Sequence, residues 1–216
     1  DSNLQKIESD AFSYTNIKEI FIPSNVTIIC ESAFSGCENL EKIEIQKKSK
    51  LETIESDAFS YTKIKEIYFP DCLKVLKEGW CNNTENLIKI IISPSNGQFI
   101  FKDDKYLLGK SDSNIDEFDI LLFARRDFRR VFIPSNIKVI SSCTFECCKN
   151  LNRVVIPTDS NLHTIESNAF SGSNIKEILI PSKVSKIYEN AFSNCKNLTK
   201  VLIETNSNLQ TIESSA

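Results

Sequence analysis

The sequence of 216 residues contains no methionine, one tryptophan, one histidine and only five glycines. So few glycines, spread along the chain, cannot form the glycine-rich loop that cradles phosphate groups. Uninterrupted apolar runs extend over only a few residues, far short of the ~20 that a membrane-spanning helix needs. The sequence therefore predicts no phosphate-binding loop, no bound cofactor and no membrane span in this stretch of chain.

The single histidine, His163, limits the catalytic chemistry that can be expected. In the other copies of the repeat described below, the equivalent position varies freely among polar residues. A Ser-His-Asp or Cys-His arrangement would therefore depend on His163 with no supporting motif. We interpret His163 as an ordinary surface residue and predict no catalytic residues and no enzyme activity.

Basic and acidic residues are present in similar numbers. The chain has 26 Lys and Arg against 29 Asp and Glu, interspersed, for a net charge of −3. Because nucleic-acid-binding chains usually concentrate basic residues on one surface, no nucleic-acid partner is expected. Hydrophobic residues make up 41% of the chain. Such a content argues against disorder.

One segment matches only part of the pattern of a calcium-binding loop. Asp112, Asn114 and Asp116 match the first three ligand positions of such a loop. The sixth position holds Glu117 where glycine is required, and the twelfth holds Phe123 where glutamate is required. The sequence predicts no metal ion here.

Eight cysteines raise the question of disulfides or zinc. Cys147 and Cys148 are adjacent and no CxxC pair is present, so zinc is weakly supported. Cys37, Cys148 and Cys195 each lie three residues after a recurrent phenylalanine. In stacked repeats, equivalent residues two repeats apart are about 10 Å distant, too far for a disulfide, so we predict buried free thiols. The pairing of the other four stays open: Cys30, Cys72, Cys81 and Cys143.

One nine-residue segment recurs along the chain. IESDAFSYT spans Ile7 to Thr15 and returns unchanged at Ile54 to Thr62, while a close copy, IESNAFSGS, spans Ile165 to Ser173. Each copy of the repeat begins at an apolar residue: Leu4, Val26, Leu51, Leu73, Ile137, Leu162, Val184 and Leu209. Steps of 22 and 25 residues alternate on either side of one interruption, which gives a two-repeat unit of 47 residues. Such a period indicates a solenoid, in which each repeat buries its apolar face against its neighbours.

Each repeat contains two recognisable segments. IKEIFIP (17–23) alternates apolar and polar residues, which predicts a short strand lying parallel to its copies. The Ala-Phe segment is expected opposite the strand, with phenylalanine filling the space between the walls. This phenylalanine recurs at Phe12, Phe34, Phe59, Phe145, Phe170 and Phe192, and Trp80 is expected to fill the same place in the fourth repeat. An asparagine before the strand is expected to satisfy turn backbone groups: Asn16, Asn39, Asn86, Asn150, Asn174 and Asn197.

On these residues the chain resembles the BspA-like leucine-rich repeats. IICESAFSGCENLEKIEI (28–45) and IYENAFSNCKNLTKVLI (187–203) follow that family's unit closely. The resemblance implies a right-handed, curved solenoid with a parallel β-sheet on the concave face and short helical or irregular segments on the convex face. It also implies a role in cell-surface adhesion, common in mucosal bacteria and protists, without naming a ligand.

We predict one structural domain built of three parts. Residues 1–98 form a first block of leucine-rich repeats, 99–130 an inserted β-hairpin island continuous with the solenoid, and 131–216 a second block. The island has two apolar-aromatic runs around the polar turn SDSN and is expected to replace the outer wall of one repeat. A ligand-binding loop is the alternative, since long insertions often carry function. Any targeting segment or anchor is expected outside this stretch, because Asp1 begins inside a repeat.

Two columns of strand residues are expected to face outward. The first is apolar at seven of eight positions: Phe21, Glu44, Tyr68, Ile91, Phe132, Val155, Leu179 and Leu202. The second, two residues earlier, is charged: Glu19, Lys42, Glu66, Lys89, Arg130, Arg153, Glu177 and Lys200. These columns either stabilise the sheet through strand propensity and charge pairing or form a binding surface. The candidate partner-binding residues on the second interpretation are Phe21, Tyr68, Ile91, Lys89, Arg130, Phe132, Val155 and Leu179.

The expected function is a non-catalytic protein-binding module, the ligand-binding region of a cell-surface or secreted adhesin. A host cell-surface or extracellular matrix protein is the suspected ligand. The alternative is a cytoplasmic leucine-rich repeat scaffold that uses the same face, which free thiols would suit. Sequons make Asn25 and Asn82 candidate N-glycosylation sites, whereas Asn197 is expected to stay unmodified because it belongs to the structural asparagine column.

Overall fold

The computed structural model describes residues 2–216. The chain divides into two compact units, the first ending at Lys105 and the second beginning at Tyr106. Both are built of β-strands and turns, and residues 2–216 contain no helix. The predicted solenoid of stacked parallel strands is confirmed.

Most coils of the solenoid contribute one short and one longer strand. The first unit has short strands β1 (Lys6–Ile7), β3 (Ile28–Ile29), β5 (Thr53–Ile54) and β7 (Val75–Leu76), and longer strands β2 (Glu19–Ile22), β4 (Lys42–Ile45), β6 (Glu66–Phe69) and β8 (Lys89–Ile92). A further strand, β9 (Phe99–Lys102), belongs to neither set. The second unit has β10 (Tyr106–Gly109), β11 (Ile120–Ala124), short strands β13 (Val139–Ile140), β15 (Thr164–Ile165), β17 (Lys186–Ile187) and β19 (Thr211–Ile212), and longer strands β12 (Arg130–Phe132), β14 (Arg153–Val155), β16 (Glu177–Ile180) and β18 (Lys200–Ile203).

The two kinds of strand pair differently. Short strands stack in continuous parallel order, β1-β3-β5-β7 in the first unit and β11-β13-β15-β17-β19 in the second. Longer strands pair in twos, as β2 with β4, β6 with β8, β12 with β14, and β16 with β18. Within such a pair the outer residues lie in direct register, as Phe21 does with Glu44. The longer strands therefore form separate two-stranded sheets, each made by two neighbouring coils.

The segments between each short strand and the next longer strand form a stack of turns, which we call the turn wall. Of the two expectations for this wall, helical or irregular segments, the irregular one is observed and the helical one is wrong. Each coil there places two residues four apart in the left-handed region, with φ between 53° and 70°. A helix requires consecutive right-handed residues, so two interruptions per coil exclude it. The pairs are Asp10 and Tyr14, Ser32 and Gly36, Asp57 and Tyr61, Gly79 and Asn83, Cys143 and Cys147, Asn168 and Gly172, and Asn190 and Asn194.

The turns are also hydrogen-bonded from coil to coil. The N–H groups of Phe12 and Tyr14 donate to the carbonyls of Ala33 and Ser35, each at 2.8 Å. Intervening residues bond within their own coil, as Ala11 does to the carbonyl of Glu8 at 3.2 Å. Backbone polar groups of this wall are therefore satisfied without regular secondary structure.

The phenylalanine column forms the core, as predicted. Phe34, Phe59, Phe145 and Phe170 are fully buried. Consecutive rings lie nearly parallel, with centroids 5.3 Å apart for Phe12 and Phe34, 5.4 Å for Phe34 and Phe59, 4.9 Å for Phe145 and Phe170, and 5.2 Å for Phe170 and Phe192. Stacked rings at this spacing fill the interior of each unit as a continuous apolar rod.

Trp80 does not occupy the expected phenylalanine position, but the position one residue earlier in the repeat. The N–H of Phe59 donates to the carbonyl of Trp80 at 2.9 Å, just as the N–H of Phe34 donates to the carbonyl of Ala58. Trp80 therefore occupies the alanine position, and Cys81 holds the backbone place of the phenylalanine. The indole ring still meets the column, edge-on to Phe59 at 6.5 Å and 89°. A large ring at the alanine position thus ends the parallel stack.

A column of thiols and hydroxyls runs beside the rings. The Sγ atoms of Cys37 and Cys195 donate to the carbonyls of Phe12 and Phe170 in the preceding coil, at 2.9 and 3.0 Å. Cys37, Cys148 and Cys195 are free thiols, as predicted for this column. Burial is the main cause that raises the pKa of the Cys195 thiol, so it stays protonated at neutral pH. In these coils the thiol acts as a hydrogen-bond donor between neighbours.

The insertion forms an antiparallel hairpin. β10 pairs with β11, and residues 110–119 form the loop between them. β11 then pairs in parallel with β13, which places it in the line of short strands. The loop is anchored by Asp119, whose carboxylate is fully buried and accepts hydrogen bonds from Ser111 N (2.8 Å), Ser111 Oγ (2.7 Å) and Lys138 Nζ (2.9 Å).

The anchor at Asp119 predicts a pH-dependent contribution to stability. Burial alone would raise the pKa of Asp119, but the hydrogen bonds from Ser111 and Lys138 outweigh it and hold the pKa below its ordinary value. The unfolded chain therefore takes up the proton first, near pH ~3.9. The stabilisation is fully present above that pH and is lost as pH falls through the lower folded-state value.

Thermal melting of the Asp119→Asn variant tests this contribution. At neutral pH the variant should melt below the parent chain, and the gap should shrink as the pH falls below ~3.9. The exposed Asp116 provides the control, because Asp116→Asn removes no buried contact and should melt close to the parent. A gap that stays constant or widens toward acid would show that Asp119 does not carry this dependence.

Arg126 closes the open end of the second block's polar column. Its guanidinium is buried and donates to the carbonyls of Thr144 (2.6 Å) and Cys143 (3.4 Å). The same group lies 3.2 Å from Cys148 Sγ and over the ring of Phe123 at 5.0 Å. In a regular coil the column thiol bonds to the carbonyl of a preceding phenylalanine, and the insertion supplies Arg126 in that place.

Residues 2–216 contain no helix that is long and apolar enough to cross a bilayer.

Candidate functional site: the exposed face of the longer strands

The longer strands expose a surface that we call the strand face. It comprises an outer column, a charged column two residues earlier, and an entry column immediately before each strand. The first two columns are the ones predicted from the sequence. The entry column is exposed throughout: Lys18, Glu41, Lys65, Ile88, Arg129, Asn152, Lys176 and Thr199.

Alternation along each strand creates this surface. In β2, Ile22 is fully buried while Phe21 remains 48% exposed. β6 repeats the arrangement, with Ile67 and Phe69 buried on either side of Tyr68. Because successive side chains of a strand point to opposite sides, the core residues fix which residues face solvent.

The structure leaves every candidate partner-binding residue accessible in part. Phe132 is 56% exposed and Ile91 39% exposed, and Lys89 and Arg130 are also exposed. The remaining outer-column residues of the set are half-buried: Tyr68, Val155 and Leu179. In the first unit, register brings Tyr68 beside Ile91; in the second, it brings Phe132 beside Val155. Their role in binding stays a prediction.

Each unit contains a groove where two strand pairs meet. The described residues form no hydrogen-bonded ladder between β4 and β6, or between β14 and β16. The first groove holds about 220 Å³ and includes Glu44 and Tyr68 in its lining. The second holds about 240 Å³ and includes Val155 and Leu179. The two grooves occupy equivalent positions in the two blocks, because one constant sequence step relates Glu44 to Val155 and Tyr68 to Leu179.

Charged residues of the first block pair across coils. Lys89 Nζ lies 3.1 Å from Glu66, Lys65 Nζ lies 2.8 Å from Glu41, and Lys42 Nζ lies 3.6 Å from Glu44 in its own strand. Salt bridges this exposed contribute little to stability, because water and salt screen them. Their effect is to leave the strand face of the first block electrically balanced.

In the second block the equivalent cations are less well paired. Arg130 and Arg153 are direct register partners on β12 and β14. The Arg130 guanidinium lies over the ring of Phe132 at 4.6 Å, and Arg153 reaches Glu177 only at 3.9 Å. Tyr106 secures the strand edge here, since its hydroxyl donates to the Phe132 carbonyl at 3.0 Å and accepts from the Phe132 N–H at 3.2 Å.

Asparagine side chains bridge neighbouring coils next to the strand face. Asn39 Nδ2 donates to Asn16 Oδ1 at 3.3 Å, and Asn197 Nδ2 donates to Asn174 Oδ1 at 3.0 Å. Asn174 Nδ2 in turn donates to the carbonyl of Lys149 at 2.6 Å. The asparagines thus bond to one another as well as to turn backbone groups.

The candidate glycosylation sites are engaged in similar contacts. Asn25 Nδ2 donates to the carbonyl of Ser2 at 2.8 Å, and Asn25 Oδ1 accepts from Lys50 at 3.0 Å. Asn82 Nδ2 donates to Asp57 Oδ1 at 3.1 Å. A glycan on either amide would have to replace these hydrogen bonds, and both sites stay predictions.

His163 is exposed. Within residues 2–216, no group of three or more His, Cys, Asp or Glu side chains is arranged to hold a metal ion.

Two exposed tyrosines on the turn wall escaped the sequence analysis. Tyr14 is 83% exposed and Tyr61 is 57% exposed, and both have positive φ. The ring of Tyr14 covers Gly36 so closely that a Cβ there would lie 2.5 Å from it. The sequence feature that could have identified them is their shared position in the two identical copies of IESDAFSYT.

The comparisons with known proteins agree with this geometry. Six copies of the BspA type leucine rich repeat region match residues 1–107 and 117–216. The structure is similar to that of the pneumococcal vaccine antigen PcpA, with a TM-score of 0.80 and 23% identity over 95% of this chain. A leucine-rich repeat protein from Eubacterium ventriosum gives 0.79 and 22% over 100% of the chain.

A leucine rich cell surface protein from Faecalibacterium prausnitzii gives a TM-score of 0.72 and 18% identity, over 98% of this chain and 74% of that protein. The chain spans 55% of the pneumococcal antigen structure and 61% of the Eubacterium one. Comparison with curated proteins finds no match. The repeats matched along nearly the whole sequence and the stacked coils agree: the chain belongs to the BspA-type leucine-rich repeat family.

Proposed function

We propose that the chain is a non-catalytic protein-binding module and the ligand-binding region of a cell-surface adhesin. The observation that carries the proposal is the outer column of each unit: Phe21 and Ile91 in the first unit and Phe132 in the second expose between 39% and 56% of their surface while neighbouring strand residues fill the core. Exposed apolar side chains that recur along a strand face are unusual on a soluble protein unless a partner covers them. The partner would be a protein on a host cell or in the extracellular matrix.

One observation favours the surface location and another favours binding. The fold is shared with proteins described as a vaccine antigen and as a cell surface protein. Aromatic residues, which the outer column provides in Phe21, Tyr68 and Phe132, contribute strongly at protein interfaces. A cytoplasmic scaffold that uses the same face is the second candidate, supported by the free thiols of Cys37, Cys148 and Cys195.

The binding role predicts that Tyr68→Ser combined with Phe132→Ser weakens attachment while stability changes little. Loss of two aromatic contacts should reduce apparent affinity about tenfold or more. Fluorescently labelled chain, titrated onto cultured epithelial cells and onto surfaces coated with extracellular matrix proteins, provides the measurement. Thermal melting should stay close to that of the parent, because Phe132 is exposed and the half-buried Tyr68 lies on the solvent side of its strand. Substitutions outside the core usually change stability by less than about 0.5 kcal/mol each.

Tyr14→Ser with Tyr61→Ser is the matched control, since it removes two exposed rings from the turn wall. Equal losses in both double variants would indicate non-specific adhesion of aromatic rings. Unchanged attachment in the Tyr68 and Phe132 variant would move the site to another surface, with the loop at residues 110–119 tested next. Intact-mass analysis of protein from the native cell separates the two locations, because a glycan on Asn25 or Asn82 requires secretion.

A further inference from the structure

The two blocks differ sharply in the charge of their strand faces. The three columns of the first block contain four cations, Lys18, Lys42, Lys65 and Lys89, and four carboxylates, Glu19, Glu41, Glu44 and Glu66. Those of the second block contain five cations, Arg129, Arg130, Arg153, Lys176 and Lys200, and one carboxylate, Glu177. Formal charge over these twelve positions therefore changes from zero to +4, in a chain whose net charge is −3.

Three substitutions between equivalent positions produce this change. Arg130 stands where the first block has Glu19, Asn152 where it has Glu41, and Val155 where it has Glu44, all related by the same sequence step. The remaining ionisable positions keep their sign. The difference is thus confined to the first two longer strands of the second block and the residue before one of them.

Most basic charges on the strand face of the second block have no carboxylate partner. Among the described residues, no carboxylate forms a salt bridge with Arg129, Arg130, Lys176 or Lys200, and Arg153 reaches Glu177 only at 3.9 Å. Arg130 and Arg153 face each other across the ladder, an arrangement of like charges that destabilises a sheet. The first block has Glu19 at the position equivalent to Arg130, so this fold accommodates a carboxylate there.

Beside these cations runs the apolar part of the same face. Phe132, Val155, Leu179 and Leu202 lie two residues beyond the charged column on successive strands, and the groove between β14 and β16 opens among them. A ligand that fits this surface must place anionic groups along one line and apolar groups along a parallel line. A sulfated polysaccharide supplies only the anions, whereas a polypeptide with interleaved acidic and apolar residues supplies both.

We infer that the strand face of the second block binds an acidic protein segment, with carboxylates on Arg130, Arg153 and Lys200 and apolar side chains along Phe132, Val155 and Leu179. The inference depends on the proposed binding function and specifies the partner's chemistry and the block that recognises it. Electrostatic complementarity of this kind sets which partner is chosen and how fast it associates.

Fluorescence anisotropy with labelled synthetic peptides tests the inference. The probe is a peptide with interleaved Glu and Leu residues, and its reference is the same peptide with Gln in place of Glu. The parent chain should bind the acidic peptide about tenfold or more tightly than the reference, with affinity falling as salt is raised toward ~0.5 M.

Arg130→Glu with Asn152→Glu gives the second block the residues of the first and should reduce affinity for the acidic peptide about tenfold or more. Lys18→Glu with Lys42→Glu is the control in the first block. This control lowers net charge by four units, against three for the test variant, yet should leave affinity within about twofold, because the response is local. Equal losses in both would overturn the assignment to the second block. Circular dichroism melting verifies that each variant is folded.

The source of the anion is tested with a heparin oligosaccharide and the Phe132→Ser variant. Phe132→Ser should weaken peptide binding several-fold and leave heparin binding unchanged, as expected when apolar contacts matter only for the peptide. Tighter binding of heparin than of peptide, with no effect of Phe132→Ser on the peptide, would overturn the inference in favour of a polyanionic glycan. Absence of peptide binding would also overturn it, while the proposed function would still be judged by the Tyr68 and Phe132 variant on cells.

Discussion

Replacing Phe170 by alanine should lower the free energy of unfolding by about 3–5 kcal/mol, the usual cost of truncating a buried aromatic residue. Phe170 is fully buried and stacks on both sides, against Phe145 at 4.9 Å and Phe192 at 5.2 Å. Alanine would leave a gap in the middle of the ring column, and neighbouring coils held by their own hydrogen bonds could close it only in part. Chemical denaturation followed by circular dichroism measures the change.

His163→Ala is the control for this experiment. His163 is exposed at the entry to β15, a short distance before Phe170 in the chain. Loss of an exposed side chain of this kind should change the free energy of unfolding by less than about 0.5 kcal/mol. A histidine variant more damaging than the phenylalanine variant would show that the ring column does not dominate the stability of the second block.

Substitution of Arg126 by methionine should destabilise the second block by about 2–4 kcal/mol, because buried acceptors left without a donor each cost about 1–3 kcal/mol. The carbonyls of Thr144 and Cys143 would lose the guanidinium, and the Phe123 ring would lose its cation. Methionine retains much of the apolar stem, so the loss reports the hydrogen bonds more than the packing. Thermal and chemical denaturation of the variant measure it.

The neighbouring Arg125 provides the comparison. Its guanidinium pairs with Asp127 at 2.6 Å near the surface. Pairs near the surface contribute ~1 kcal/mol or less. Arg125→Met should therefore cost far less than Arg126→Met. If the two variants melted alike, Arg126 would be an ordinary surface arginine and the end of the polar column would be closed by other groups.

Sequence reasoning succeeds here wherever one physical requirement determines the residue. Core positions such as Phe34 and Val26 recur because each coil must bury an apolar residue at that point, and both are fully buried. The strand at 17–23 is recognised in the same way, since alternation with period two has one structural explanation. The repeat therefore revealed the family, the coil length and the core.

Sequence reasoning fails where two conformations share one sequence pattern. The Ala-Phe segment suits a short helix as well as a turn, and only the recurrence of Asp, Asn or Gly at positions such as Asp57 and Gly36 favours left-handed residues. Aromatic character suggests that Trp80 replaces the phenylalanine, whereas hydrogen bonding places Cys81 in that register. The charge difference between the blocks is also present in the sequence, but it emerges only when equivalent columns of the two blocks are compared.

The pairing of the longer strands in twos has a consequence for how this protein can change length. Within a pair, Glu66 faces Lys89, and the other pair of the first block repeats the same order. If two coils of one kind followed each other in the first block, like charges would face each other, which is unfavourable. Unequal recombination between the gene segments that encode the identical peptides at 7–15 and 54–62 would add or delete one whole pair of coils. Lineages carrying this gene should therefore differ in copy number by even numbers of coils, and their binding surfaces should lengthen in steps of two strands.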